Sequence, residues 1–162
     1  MKARKGGGLL VMQVKDILSK KGAVVIAIGP NNTIAELCKL LKERRIGATI
    51  VSSDGKTIEG VISERDVAYG MATHGAAVAS MLVSQLMTKT VITCAPADRV
   101  AFVASTMGSR NIRHIPVEDN GHAMGMVSIR DVLNFRVDDL QQEKAQLWSF
   151  VKETERPLQD RE

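Results

Sequence analysis

The sequence predicts an α+β fold that is built from two copies of one β-α-β-β-α unit, and three observations support this prediction. A segment of eight residues that begins at Gly60 returns 65 positions later, beginning at Gly125. The same order of strand-like and helix-like patterns precedes both copies. The composition, 44% hydrophobic and 25% charged over 162 residues, is typical of a chain that folds without disulfides or metal ions.

In the first copy, turn and cap residues separate the predicted elements. Pro30 ends the first strand, because proline has no amide hydrogen for a strand ladder. Thr33 and Glu36 form a capping-box pattern at the start of a helix, with Asn32 as the alternative cap. An Asp-Gly turn at residues 54–55 joins the next two strands. The predicted strands are residues 24–28, 49–52 and 58–62, and a second helix begins at Ser63.

The second copy repeats these signals. Pro96 matches Pro30 and Ile112 matches Ile46, and residues 83–87 resemble the lead-in at residues 14–18. Asp98 is the predicted cap of the first helix, and an Asn-Gly turn stands at residues 120–121. The predicted strands are residues 91–93, 115–117 and 124–127, and the last helix begins at Ser128.

Residues 133–150 predict a long amphipathic helix beyond the second copy, because apolar residues are interleaved with charges at helical spacing. This helix packs either on its own module or against a second copy of the chain, which Trp148 and Phe150 would contact. The apolar positions are Leu133, Val137, Leu140, Leu147 and Val151.

Charge and composition exclude several classes of function. Lys2, Arg4 and Lys5 supply three charges of the formal +4 from a glycine-flanked tail, and the rest has 19 basic and 18 acidic residues. Such a balance, with few aromatic residues, makes nucleic-acid binding unlikely. The chain has neither an apolar run of membrane length nor a signal sequence, so we expect a cytoplasmic protein. Cys38 and Cys94 are predicted to be buried free thiols, in keeping with a reducing compartment.

The duplicated motif Gly-x-x-Ser-x-Arg-Asp, set within two β-α-β-β-α units, resembles the tandem pair of cystathionine β-synthase-type (CBS) domains, also called a Bateman module. The resemblance covers roughly residues 12–137. It implies two CBS repeats packed through their small sheets in a pseudo-two-fold module, and association as a homodimer. The predicted divisions are a flexible tail at 1–11, repeat 1 at 12–75, repeat 2 at 76–137, and a C-terminal amphipathic helix and tail at 138–162.

The repeated motif has two interpretations. Ser63 with Asp66, and Ser128 with Asp131, fit capping boxes that would stabilise any helix. The same helix N-terminus can also bind a phosphate through its amides, the serine hydroxyl and a neighbouring arginine, while the aspartate accepts from both ribose hydroxyls. In CBS proteins the matching serine and aspartate contact phosphate and ribose, and the resemblance implies the same roles here.

The resemblance also places the rest of the pocket in the first strand of each repeat and at the entry to the second. Gly47 and Ala48 in one repeat stand where Arg113 and His114 stand in the other, so the two sites should be unequal. The predicted nucleotide-binding residues are Lys20, Val25, Ile46, Gly47, Ala48, Ser63, Arg65, Asp66, Val91, Ile112, Arg113, His114, Ser128, Arg130 and Asp131.

We therefore expect a non-catalytic energy or redox sensor that binds an adenosine nucleotide and modulates an unidentified partner protein. AMP is the first candidate ligand, and NAD(H), ADP, ATP and S-adenosylmethionine are alternatives. The competing hypothesis is a structural scaffold without a physiological nucleotide. The sequence has no nucleophile and base motif, and His74, His122 and the cysteines lack metal-site spacing, so neither catalysis nor a metal is expected.

Overall fold

The structure, a computed structural model, describes residues 12–154. The predicted tail at 1–11 and the last eight residues lie outside the described residues. Within the described segment, no helix is long and apolar enough to span a lipid bilayer. The elements are α1 (Val14–Lys21), β1 (Ala27–Ile28), α2 (Ile34–Arg44), β2 (Ala48–Val51), β3 (Gly60–Ser63), α3 (Glu64–His74), a 3-10 turn (Gly75–Ser80), α4 (Val83–Leu86), α5 (Val100–Arg110), β4 (His114–Asp119), β5 (His122–Ser128) and α6 (Ile129–Thr154).

Two small sheets confirm the predicted α+β class. In the first, β2 lies between β1, its parallel neighbour, and β3, its antiparallel neighbour. In the second, β4 and β5 form an antiparallel pair with an irregularity between Val117 and Glu118. Helices cover both sheets, and each sheet is followed directly by a helix that begins with the repeated Ser-x-Arg-Asp motif.

The prediction of a strand at residues 91–93 is wrong. Only Cys94 pairs with the second sheet, through one parallel bridge to Val117. The amide of Cys94 donates to the carbonyl of Pro116 at 3.0 Å. Extending this parallel ladder backward would need an amide hydrogen from Pro116, which proline lacks, so the pairing ends at Cys94.

The predicted cap of α2 is confirmed, whereas that of α5 is wrong. The amide of Glu36 donates to Thr33 Oγ1 at 3.3 Å, and the Glu36 carboxylate accepts from the Thr33 amide at 2.7 Å. Arg99 is the cap residue of α5, without a side-chain bond. Asp98 instead accepts from the amide of Ala95 at 2.8 Å and closes the turn before the helix.

The hydrophobic interior consists of two cores, and each is completed by the lead-in helix of the other repeat. Helix α1 precedes the first sheet in sequence but packs on the second one, while the 3-10 turn and α4 pack on the first. Val14 and Val83, the equivalent first residues of α1 and α4, are both fully buried. The halves are thus tied together by exchanged lead-in helices.

Three backbone hydrogen bonds of 2.8 to 2.9 Å fix each exchanged helix, and the two sets are equivalent. This repetition shows that the duplication extends to the connections between the halves. The bonds join Val14 N to Asp98 O, Lys15 N to Pro96 O and Val100 N to Met12 O in one set, and Val83 N to Asn32 O, Ser84 N to Pro30 O and Ile34 N to Met81 O in the other.

Two further predictions concern exposure. Cys94 is buried as predicted, but Cys38 is exposed, because it lies on the outer face of α2. The predicted C-terminal helix is present as part of α6, and Val132 packs into the second core. Five apolar side chains of α6 are 51–68% exposed, and the side chains of Phe150 and Val151 lie outside the described residues. The exposed ones are Leu133, Val137, Leu140, Leu147 and Trp148.

Candidate functional site

A cavity with a volume of about 590 Å³ lies between the two halves. One wall is the end of α2 and the strand after it, residues 45–50, together with Val24 and Ile26. The opposite wall is the junction of β5 and α6, residues 128–131 with Met126. The end of α1 closes one side. A volume of this size lies within the range of small-molecule sites.

The junction of β5 and α6 presents Asp131 to the cavity through a complete capping box. Asp131 Oδ2 accepts from the amide and from the hydroxyl of Ser128, each at 2.8 Å, and the Asp131 amide donates to Ser128 Oγ at 3.2 Å. Across the described residues, the second carboxylate oxygen, Oδ1, makes no hydrogen bond. The capping box therefore uses one oxygen of the carboxylate and leaves the other available as a hydrogen-bond acceptor.

Lys21, the last residue of α1, also contacts Asp131. Its ammonium donates to Asp131 Oδ2 at 2.8 Å and to the carbonyl of Met126 at 3.1 Å. Burial raises the pKa of Asp131, but the hydrogen bonds from Lys21 and Ser128 outweigh it, so the pKa lies below its ordinary value. Asp131 is thus ionised at neutral pH.

The cavity carries more positive than negative charge. Lys21, Arg45, Arg113 and Arg130 line it, against two carboxylates. In the part of the chain that the structure describes, no hydrogen bond or ion pair engages the three guanidinium groups. Cationic groups without internal partners, beside an ionised hydrogen-bond acceptor, suit a ligand that carries both an anionic group and hydroxyls.

A second, smaller cavity of about 170 Å³ adjoins the corresponding motif of the first repeat. Asp66 Oδ2 accepts from the amide of Ser63 at 2.7 Å and from its hydroxyl at 2.6 Å, as in the second repeat. Here the arginine of the motif is already engaged, because Arg65 donates to the carbonyl of Asn111 at 3.1 Å. The volume is below the usual range for a small-molecule site.

The two cavities share a wall made of Gly47, Ala48, Glu64, Arg113 and His114. A Cβ atom at Gly47 would stand 3.4 Å from the imidazole of His114 and from the Glu64 carboxylate. The wall is therefore thin at Gly47, because this residue contributes no side chain to it. Burial, followed by the charge of Arg113, lowers the pKa of His114 below its ordinary value. The imidazole is therefore neutral at neutral pH.

The structure places thirteen of the fifteen predicted site residues on one cavity or the other. The larger cavity is lined by Ile46, Gly47, Ala48, Arg113, His114, Ser128, Arg130 and Asp131, and the smaller one by Ser63, Arg65, Asp66, Val91 and Ile112, together with the residues of the shared wall.

Lys20 and Val25 line neither cavity, and the residue beside each takes the predicted place. Lys20 forms an ion pair with Asp138 on α6, whereas Lys21, a helical step further, faces the cavity. Val24 and Ile26 line the cavity and Val25 does not, as the alternation of an extended segment requires. No sequence pattern indicates Arg45 or Met126, which reach the cavity only through the packing of the two halves.

Within residues 12–154, no cluster of histidine, cysteine and acidic side chains has the arrangement of a metal site. Fold and site together define a class of protein: a duplicated α+β module with a ligand cavity between its repeats.

Comparison with known proteins gives the family. The family model for the CBS domain matches residues 14–72 and 83–138, in step with the two repeats. The chain belongs to the CBS-domain family and contains a tandem CBS pair, as its motifs predicted. CBS pairs are generally regulatory modules.

Solved structures of CBS-domain proteins resemble this chain over most of its length. The CBS-domain protein ATU1752 from Agrobacterium tumefaciens is 36% identical, with a TM-score of 0.75 over 77% of this chain and 99% of that one. The CBS pair of protein MJ0100, solved with 5′-methylthioadenosine and S-adenosyl-L-methionine, is 28% identical, with a TM-score of 0.71 over 80% and 98%. The protein PAE2072 from Pyrobaculum aerophilum, complexed with AMP, is 26% identical, with a TM-score of 0.66 over 74% and 89%.

Proposed function

We propose that this CBS pair is a regulatory module that binds one adenosine-containing ligand in its larger cavity and transmits the bound state to a partner protein. The observation that carries this proposal is the position of Asp131, which lines a cavity of about 590 Å³ together with unengaged arginines and whose Oδ1 makes no hydrogen bond in the described part of the chain. The adenosine ligands of the related CBS pairs have the hydroxyls that such a carboxylate would bind.

The proposed contacts follow from the charges of the walls. The ribose hydroxyls donate to Asp131, while a phosphate accepts from Arg113 or Arg130, and from the Ser128 hydroxyl once this turns away from Asp131 Oδ2. Val24, Ile26 and Ile46 offer an apolar surface on which an adenine ring packs. AMP has the ribose, the phosphate and the adenine ring that these three contacts need, so it is the first candidate, ahead of ADP, ATP, NAD(H) and S-adenosylmethionine.

The smaller cavity is proposed to remain without a nucleotide of its own. Its volume is about 170 Å³, and Arg65 is committed to a backbone carbonyl. We therefore propose one ligand per chain.

Regulation requires that the ligand bind two arrangements of the module with different affinity. Because the cavity lies between the halves, a ligand held by both walls favours the arrangement in which they are close. An energy sensor would read AMP in this way and a redox sensor NAD(H), in the cytoplasm and without catalysis. The response is passed to a regulated protein.

We also propose a homodimer. The exposed apolar side chains of α6, including Leu140 and Leu147, form an unpaired stripe that a second copy would cover. Sedimentation velocity of the chain and of Leu140→Lys tests this. A dimer that dissociates in the variant supports the proposal, and a monomer in both contradicts it.

The ligand proposal is tested by isothermal titration of the full chain with AMP, ADP, ATP, NAD⁺, NADH and S-adenosylmethionine, and with 2′-deoxy-AMP as the matched control. We expect saturable binding at one site per chain, and about tenfold weaker binding of 2′-deoxy-AMP, because one hydrogen bond to a charged acceptor is lost. Absence of binding at millimolar concentration of every ligand would leave a structural scaffold as the function.

A further inference from the structure

Lys21 bonds to the carboxylate that the proposed ligand needs, but through Oδ2 and not through Oδ1, the proposed acceptor of the ribose. Its ammonium bonds to Asp131 Oδ2 and to the Met126 carbonyl, and the Lys21 and Asp131 side chains are 43% and 20% exposed. In the part of the chain that the structure describes, no lysine lines the smaller cavity. Lys21 therefore makes the larger cavity chemically different from its pseudo-symmetric counterpart.

The same geometry places Lys21 beside the phosphate end of the site. Lys21 Nζ and Ser128 Oγ both donate to Asp131 Oδ2, so the two donors are close neighbours on one oxygen. A phosphate that accepts from Ser128 would lie within reach of the ammonium, since a lysine side chain is long and its end rotates freely. A ligand without a negative group offers Lys21 no alternative partner.

Lys21 should therefore favour the binding of one class of ligand and disfavour that of another. An adenosine ligand with a phosphate gives the ammonium a new anionic partner, and Asp131 is then a stronger acceptor for the ribose. A neutral adenosine ligand leaves the ammonium on Asp131 Oδ2, where its charge weakens Oδ1 of the same carboxylate as an acceptor for the ribose hydroxyls.

We propose that Lys21 is a specificity-determining residue, which makes the larger cavity select phosphorylated adenosine ligands over neutral ones. This inference rests on the proposed binding of adenosine ligands and adds the ligand class and the residue that sets it. It also links the ligand to α1, the helix that completes the core of the second repeat.

The variant Lys21→Met tests the proposal, because methionine keeps much of the side-chain length and removes the charge. The matched control is Lys20→Met, which removes the same charge from the adjacent residue of α1. The Lys20 ammonium pairs with Asp138 and lies 5.8 Å from the centre of the Phe135 ring, so it faces α6. Lys21→Arg keeps the charge and serves as the conservative variant.

The readout is the ratio of the affinities for AMP and for adenosine, measured by titration calorimetry on the full chain. In Lys21→Met we expect this ratio to fall about tenfold, the loss of one charge-assisted contact. Adenosine itself should bind equally well or a few-fold more tightly, because the positive charge that weakens Asp131 as an acceptor is gone. Lys20→Met should leave the ratio unchanged, and Lys21→Arg should retain most of it.

The outcomes distinguish this inference from the proposed function. If the unmodified chain binds neither AMP nor adenosine, the proposed function fails. If it binds AMP, but Lys21→Met weakens AMP and adenosine by the same factor, Lys21 is a structural residue and the inference is overturned. An equal change of the ratio in Lys20→Met would also overturn it, since the effect would then be general electrostatics.

Discussion

Replacing the aspartate of each repeat separates its structural role from its ligand role. Asp131 and Asp66 make the same capping contacts: Oδ2 of each accepts from the amide and hydroxyl of its serine at 2.6 to 2.8 Å. Losing such a cap costs about 1 kcal/mol. Asp131→Ala also removes the partner of Lys21, a partly exposed pair worth less than about 1 kcal/mol.

We therefore expect both variants to unfold at lower denaturant concentration, with losses of about 1 kcal/mol for Asp66→Ala and about 1 to 2 kcal/mol for Asp131→Ala. Ligand affinity should differ much more. Asp131→Ala removes the proposed acceptor of the ribose hydroxyls and should weaken AMP binding by more than about tenfold. Asp66→Ala lies in the smaller cavity and should change AMP binding less than about threefold, within the error of structural relaxation.

The assays are urea unfolding followed by circular dichroism, and titration calorimetry with AMP on the folded variants. Asp66→Ala is the matched control, because it loses the same cap at the equivalent helix. Equal weakening of AMP binding by the two variants, or none by Asp131→Ala, would refute the assignment of the ligand site to the second motif.

Three further predictions concern the two cysteines, two glycines and His114. Burial raises the pKa of the Cys94 thiol to about 12, so a thiol reagent at pH 8 should label only the exposed Cys38 in the native chain and both after denaturation; labelling of both in native protein would contradict this. A Cβ atom at Gly60 would lie 2.7 Å from a methionine sulfur, so Gly60→Ala should lower the free energy of unfolding in urea by about 1 to 3 kcal/mol. Gly108 lies on a helix with open space around it, so Gly108→Ala should raise the free energy of unfolding by about 0.5 to 1 kcal/mol. The pKa of His114 is held below its ordinary 6.5, so the unfolded chain protonates first and the free energy of unfolding should fall as the pH drops through 6.5; His114→Gln should remove that part of the decline, and an unchanged pH profile in the variant would contradict it.

Much of the fold was predictable because the chain contains its architecture twice. The duplicated motif, the prolines and the Thr33 cap each specify local backbone geometry, and their agreement between copies fixed the element order. The exchange of α1 and α4 between the cores was not predictable, because the apolar face of a helix does not indicate which sheet the helix will pack on. Residues 91–93 do not form a strand because of Pro116, which accepts a hydrogen bond from Cys94 but lies 22 residues further along the chain.

The site was predicted at the level of segments but not at the level of side-chain direction. Lys20 and Val25 are each one residue from a side chain that lines the cavity, since a step of one residue turns a helix by about 100° and reverses the face of an extended strand. Cys38 was placed inside for the same reason: its helix is amphipathic, and its exact angular position decides exposure. The difference in volume between the cavities follows from packing between the halves, which no local pattern encodes.

A crystal structure of the chain grown with AMP tests the central claim most directly. We predict one AMP per chain in the larger cavity, with the ribose hydroxyls on Asp131 Oδ1 and the phosphate beside Ser128. AMP bound at Asp66 in the smaller cavity, or bound with its ribose away from Asp131, would contradict the account.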